Sequence, residues 1–168
     1  LLTLLGGLDR PTTGRIFLDG VEMSNLEERR LSQIRRKQIG FVFQNYNLVD
    51  ELTILENVGL PLLFEGESSK KMQGRAVDLL GEVGLSGKES RRPLQLSSGE
   101  QQRAAVARAL ANTPSLVLMD EPTGNLDSKS GEEILQLLRT ACRERGRTIV
   151  MVTHDARVLD IADRVLQL

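Results

Sequence analysis

Leu116-Val117-Leu118-Met119-Asp120-Glu121 is an aliphatic run that ends in two carboxylates. Apolar residues in succession, without alternation, fit a strand buried on both faces of a parallel sheet. Open α/β sheets place their ligand sites at the carboxyl ends of such strands, which is where Asp120 and Glu121 stand. Such a pair has two natural tasks. One carboxylate holds Mg²⁺, usually through water, and the next, turned away from the metal, orients or deprotonates an attacking water. On that reading Asp120 serves the metal and Glu121 the water. Strands also often end in polar residues, and Asp-Glu-Pro is a turn signal, so on this stretch alone both readings stay open.

Outward from this run the same rhythm recurs. Thr148–Val152 and Arg164–Leu168 are further short aliphatic runs, and the helical stretch Ser130–Arg145 separates Ser115–Met119 from the first of them. Strand, helix, strand is the order of a parallel α/β sheet. Ile39–Phe43 is another nearly all-apolar run, and it delivers Gln44 at its carboxyl end. Between these strands the pattern turns helical from Leu52 to Asn112. Ser68–Val83 carries Met72, Ala76, Val77, Leu79, Leu80 and Val83 on an apolar face. Toward the amino terminus, Leu1–Leu8 reads as the end of a buried helix stopped by Gly6 and Gly7. Gly14–Gly20 reads as a short strand entering a tight Asp19-Gly20 reversal. Leu26–Lys37 reads as a helix running from acidic to basic residues, its basic end a solvated terminus.

Composition narrows the function classes. The 168 residues make one domain of ordinary size, with Lys+Arg 22 against Asp+Glu 23 and a formal net charge of -1. No global basic field recruits nucleic acid, so no nucleic-acid partner is expected. The single Cys142 has no second thiol for a disulfide and no Cys/His cluster for a metal, and reads as a free thiol. The apolar runs fall far short of the roughly 20 residues that a membrane helix needs, so a partner would have to span any membrane involved. The first residue is Leu, inside an apolar run without a cap, which leads us to expect that sequence upstream has been lost.

Leu96-Ser97-Ser98-Gly99-Glu100-Gln101-Gln102-Arg103 opens the alanine-rich helix Ala104–Ala111. Free backbone N–H groups and the positive end of the helix dipole make such a start an anion site, with Ser97 able to bond a phosphate oxygen. Ser97 and Glu100 also fit an ordinary capping box.

Taken together these features resemble the nucleotide-binding subunit of ATP-binding cassette (ABC) proteins over essentially the whole chain. Gln44 in Phe-Val-Phe-Gln looks like the Q-loop, Leu96–Glu100 the signature and Leu116–Glu121 the Walker B strand. Asn125-Leu126-Asp127 looks like the D-loop and Thr153-His154-Asp155 carries the switch histidine. Asn45-Tyr46-Asn47-Leu48, Leu52–Val58 and Pro122–Asp127 look most like the macrolide-exporter and lipoprotein-release branch. The resemblance implies a P-loop NTPase fold, RecA-like, with a mostly parallel sheet. Its α/β core would be 1–44 and 113–168, with a helical subdomain at 45–112.

The resemblance also implies ATP and Mg²⁺ as cofactors, transmembrane permease subunits as partners, and a head-to-tail dimer with a second ATP-binding subunit on the cytoplasmic face of a membrane. Gln44 would approach Mg²⁺ and the attacking water, Asp120 would support the metal, Glu121 would be the general base, and His154 would contact the γ-phosphate. Ser97, Ser98, Gly99 and Glu100 would face the ATP of the other chain, and Asp127 would cross the interface.

Two departures stand out. Ser98 occupies a position where the family usually has glycine. No G-x-x-x-x-G-K-[ST] phosphate loop exists in the chain, so the chain by itself is expected to bind ATP poorly. Two alternatives stay open: a soluble cassette ATPase, and a non-catalytic module without a phosphate loop. The transported substrate has no signal in the sequence.

Overall fold

A computed structural model describes residues 1–167, and for 142–145 the backbone alone. Cys142 therefore lies outside the described side chains. Three parallel strands organise the molecule in the order β3 (Ile39–Val42), β4 (Leu116–Asp120), β5 (Thr148–Val152). The register pairs Ile39 with Leu116, Leu116 with Thr148 and Asp120 with Val152, so all three carboxyl ends meet at one edge. The central strand is buried from Leu116 to Met119 and emerges at Asp120, as expected of an apolar run covered on both faces. Helix α6 (Ser128–Arg145) carries the crossover from β4 to β5.

Near the amino terminus, β1 (Phe17–Leu18) and β2 (Val21–Glu22) pair antiparallel around Asp19-Gly20. Both turn residues have positive φ, 48° and 79°, the backbone that a two-residue primed turn demands. Helix α1 (Leu2–Leu5) stops where expected, but the two glycines divide the work. Gly7 takes the left-handed conformation at φ 62°, with Gly7 N–H donating to Leu4 and Leu8 N–H to Thr3. Gly6 remains right-handed at φ -81° and serves close approach instead, because a Cβ there would stand 2.2 Å from the Phe41 ring.

Helix α2 (Glu28–Gln38) has its acidic and basic ends as read, but the basic end is tied down rather than merely solvated. Arg35 pairs with Glu28 and donates to the Gly7 carbonyl at 2.6 Å, while Arg36 donates to the Phe64 carbonyl at 2.8 Å.

The region 45–112 holds α3 (Ile54–Phe64), α4 (Ser69–Glu82) and α5 (Ser98–Ala109). Thr53 and Glu56 form a reciprocal capping box at the start of α3. One turn on, Asn57 is wholly buried and bonds to Val49 N–H, Val49 C=O, Leu52 C=O and Thr53 C=O, which fixes the entering loop. In α4, Met72, Ala76, Leu79 and Leu80 are buried, and Val83 just beyond it. Val77 departs from the expected face and is 45% exposed, because its place on the helix lies one residue past Ala76, rotated by about 100°.

A continuous apolar core joins these helices to the sheet through Ile54, Val58, Val106, Val42, Val117 and Met119. Burial of each such side chain contributes about 1.5–3 kcal/mol. Helix α5 lies against β3 so closely that a Cβ at Gly40 would stand 2.3 Å from the Ala109 carbonyl oxygen. The expected strand at Arg164–Leu168 does not form over 164–167, and Leu168 lies outside the described residues. Its apolar positions, Val165 and Leu166, are exposed, and among the described residues no strand pairs with them.

Candidate functional site

The carboxyl edge of the sheet gathers the chemistry. Asp120 is the last residue of β4 and is exposed there. Glu121 then turns sharply: its φ is +44°, a left-handed backbone that non-glycine residues rarely adopt, while its N–H still donates to the Val152 carbonyl at 2.9 Å. This turn carries the Glu121 carboxylate toward the loop that follows β5. There Thr153 Oγ1 donates to Glu121 Oε2 at 3.1 Å, and His154 Nδ1 lies 2.8 Å from Glu121 Oε1. A carboxylate only accepts, so Nδ1 carries the proton and Nε2 is left facing outward on a ring that is 83% exposed. The Glu121 side chain is only 17% exposed. Each of its oxygens keeps a second lone pair for a water.

The loop behind this pair is stiff. Asp155 caps a short 3₁₀ turn, accepts from Thr123 Oγ1 at 2.8 Å and grips the Arg157 guanidinium in a forked contact. Arg157, then burial in the opposite sense, then the Thr123 hydroxyl act on it. The net result holds the Asp155 carboxyl well below the usual carboxylate range. Positive charge on Arg157 is stabilised in return.

Gln44 follows β3 and is exposed, and its backbone carbonyl accepts from Asn125 Nδ2 at 3.1 Å. The segment after β3 is thereby fastened to the turn after β4. Asp127 opens α6: its carboxylate accepts from Lys129 N–H, Ser130 N–H and Ser130 Oγ, the last at 2.7 Å. These bonds, led by the Ser130 hydroxyl, lower its pKa.

Helix α5 begins in a capping box. Glu100 N–H donates to Ser97 Oγ at 3.3 Å, and Glu100 Oε2 accepts from Ser97 N–H at 2.9 Å. The Ser97 backbone N–H and then Lys88, 3.0 Å from the other oxygen, depress the Glu100 pKa. Ser98 is exposed and acts to lower the pKa of the nearby Tyr46 phenol, which burial raises on balance. Gly99 is buried: a Cβ would meet Ser130 Oγ at 2.9 Å, so this glycine lets α5 approach the first turn of α6. The structure therefore brings Glu121 and His154 into contact, with Thr153 between their loops. Ser97 and Glu100 are bonded to each other, and Gly99 lies against the turn that Asp127 caps.

Thr123, Thr153 and Arg157 escaped assignment from sequence. Thr123 and Thr153 bond partners 32 residues away, and Arg157, besides its near neighbour Asp155, reaches the Ser128 carbonyl, contacts that no local spacing signals. Asp120 fits Mg²⁺ as one carboxylate ligand, since that ion takes one or two carboxylates and fills its remaining positions with phosphate oxygens and waters. Among the described residues no cluster of three or more His, Cys, Asp or Glu side chains forms a metal cage.

The ABC transporter family profile matches residues 1–124 of the 168. The chain belongs to the ABC transporter ATP-binding family. The lipoprotein-releasing system ATP-binding protein LolD of Aquifex aeolicus is 47% identical over 168 residues, covering 100% of this chain and 75% of that protein. The macrolide export ATP-binding/permease protein MacB of Bartonella henselae is 47% identical over 168 residues, where the chain spans 25% of the relative's length. Among solved structures, the dimeric cassette MJ0796 of Methanocaldococcus jannaschii, in a post-hydrolysis state bound to ADP and Pi, matches with a TM-score of 0.85. It is 46% identical, and the match covers 94% of this chain and 69% of that one. The P-loop NTPase fold, the family and the branch expected from sequence all hold for this ABC cassette.

Proposed function

We propose that this chain is the ATP-binding and ATP-hydrolysing subunit of an ABC transporter, driving export or release of a substrate through membrane-spanning permease subunits. The observation that carries the proposal is the Glu121 carboxylate, held between Thr153 Oγ1 and His154 Nδ1 at the carboxyl edge of a parallel sheet. Its rigid aim suits a general base toward water, and the outward Nε2 of His154 suits contact with a γ-phosphate. Asp120 and Gln44 would hold Mg²⁺, which when bound draws charge from the phosphate oxygens. Two copies would meet head to tail, with Ser97, Ser98, Gly99 and Glu100 of one facing the ATP of the other, and Asp127 at the crossing. The relatives named for macrolide export and lipoprotein release support the direction of transport.

We place the subunit on the cytoplasmic face of a membrane. No described helix is long and apolar enough to cross one, so contact would run through the permease partner. The helical region 45–112, fastened at Gln44 to the turn after β4, is the part proposed to face that partner.

The test is Glu121→Gln, assayed in a protein that carries these residues together with a phosphate loop. The variant should bind ATP, accumulate as a dimer and lose turnover by about 10²–10⁴-fold, the usual worth of a positioned base. Hydrolysis at the parent rate would remove Glu121 as the base.

A further inference from the structure

Arg157 is the hub of a set of contacts that the reading of the site leaves unused. Its Nη1 donates to the Ser128 carbonyl at 2.9 Å, at the first residue of α6. Its Nε and Nη2 grip both oxygens of Asp155, at 2.9, 3.1 and 2.6 Å. The guanidinium also lies flat over Gly131, where a Cβ would stand 2.8 Å from Nη2 and 3.0 Å from Nη1. A guanidinium presents five donors in a fixed plane, so one side chain can hold a carboxylate with one edge and a helix carbonyl with another.

The contacts run on in both directions. Asp155 N–H donates to Thr153 Oγ1 at 3.0 Å, and that hydroxyl donates to Glu121. On the other side, Gly131 N–H donates to the Asp127 carbonyl at 2.9 Å, and the Asp127 carboxylate caps α6. We propose that Arg157 is a positioning residue that locks the His154 loop to the first turn of α6, so that the Glu121–His154 pair and Asp127 move as one body. Gly131 is its counterpart, a helical position kept without a side chain so that the guanidinium can lie on it.

The consequence rests on the proposed head-to-tail arrangement. Asp127 would face the other copy, so the clamp transmits the position of one site's histidine loop to the neighbouring site. Loss of the clamp should uncouple the two sites before it empties either of them.

Two substitutions test this. Arg157→Ala removes the clamp, and Gly131→Ala displaces the guanidinium while improving the helix propensity of its position. In the 168-residue chain, both should raise hydrogen exchange at the amides of 128–131 by about tenfold or more, the free-energy equivalent of one or two lost hydrogen bonds. In the ATP-hydrolysing protein, both should bring the Hill coefficient for ATP toward 1 with nucleotide affinity kept within about threefold, because they touch the coupling and not the binding groups. Arg157→Lys should not rescue, since an ammonium cannot hold Asp155 and Ser128 together.

A purely structural role predicts otherwise: Gly131→Ala would leave exchange and cooperativity at parent values, and that result would overturn the proposal. Rescue by lysine would overturn it as well. The exchange measurement needs no hydrolysis, so it judges the clamp even if Glu121→Gln turns over normally and the proposed function fails.

Discussion

The start of α5 and the edge that carries Glu121 were read from the sequence as two parts of one nucleotide site, yet they are built in opposite ways. Ser97 and Glu100 satisfy each other across three residues, so that helix end is preorganised by its own sequence. Glu121 and His154 meet across 33 residues, and only because two parallel strands end level and Glu121 accepts a left-handed backbone. A helix end built locally keeps its shape while it waits for a ligand from another chain. A cluster built by tertiary contacts is sensitive to anything that shifts one strand end against the other. The proposed division of labour, with one part acting in its own chain and the other presented to a partner, fits this physical difference.

The comparison breaks most visibly at the tertiary cluster. In the protein that also carries a phosphate loop, His154→Ala should reduce ATP turnover by about 10²–10⁴-fold while leaving the fold intact, because the ring is exposed and only its Nδ1 bond is lost. The double variant with Glu121→Gln should be little worse than either single one, since the two groups act as a unit. Turnover assays on the three variants decide this, and additive losses would show that the pair does not act together. Next in size, Gly99→Val puts a branched side chain where even a Cβ stands 2.9 Å from Ser130 Oγ. Overpacking of this kind costs about 1–3 kcal/mol, to be read as a lower urea midpoint with unchanged slope. A neutral Gly99→Val would mean that α5 and α6 separate more readily than their contact implies.

The same contrast explains how much was legible beforehand. The Asp19-Gly20 turn, the Ser97 cap, the two-sided burial of β4 and the ends of α4 and β5 are set by residues a few positions apart. They read directly from spacing. The motif order then brought Gln44, Asp120, Glu121, Asp127 and His154 to one edge of a sheet whose strands all run one way.

What stayed hidden depends on distant neighbours. Nothing local to Glu121 announces its positive φ, nothing local to Thr123 announces Asp155 as its partner, and nothing local to Arg157 announces Ser128. Gly99 is expected from the sequence to face the ATP of another chain, but nothing local announces that its missing side chain also makes room for Ser130. The apolar run at 164–167 shows the converse error, a strand-like composition that no strand among the described residues pairs with.

Smaller effects sharpen the comparison at the local site. Ser97→Ala removes one capping oxygen and should cost about 0.5–2 kcal/mol in urea denaturation. It should leave the Glu100 carboxylate still depressed, because the strongest influence there is the Ser97 backbone N–H, which alanine retains. Loss of the Glu100 depression in Ser97→Ala would mean that the hydroxyl, not the backbone, organises that helix end.

The smallest effect is the pH response at Asp155, and its sign follows from the direction of the shift. The folded-state pKa lies below the unfolded value of about 3.9, so the contribution to stability is complete above that value and is lost as pH falls through it toward the folded pKa. The first cause of the depression is Arg157, with Thr123 adding to it across the fold. Arg157→Ala should therefore be less stable than the parent between pH 5 and 7 by a constant margin, and that margin should shrink as pH falls below about 4. Urea midpoints of both proteins across this range provide the check. A margin that stays constant down to the lowest pH would mean that Thr123 and the backbone hold the Asp155 charge without the guanidinium, and that the loop carrying His154 is as locally built as the start of α5.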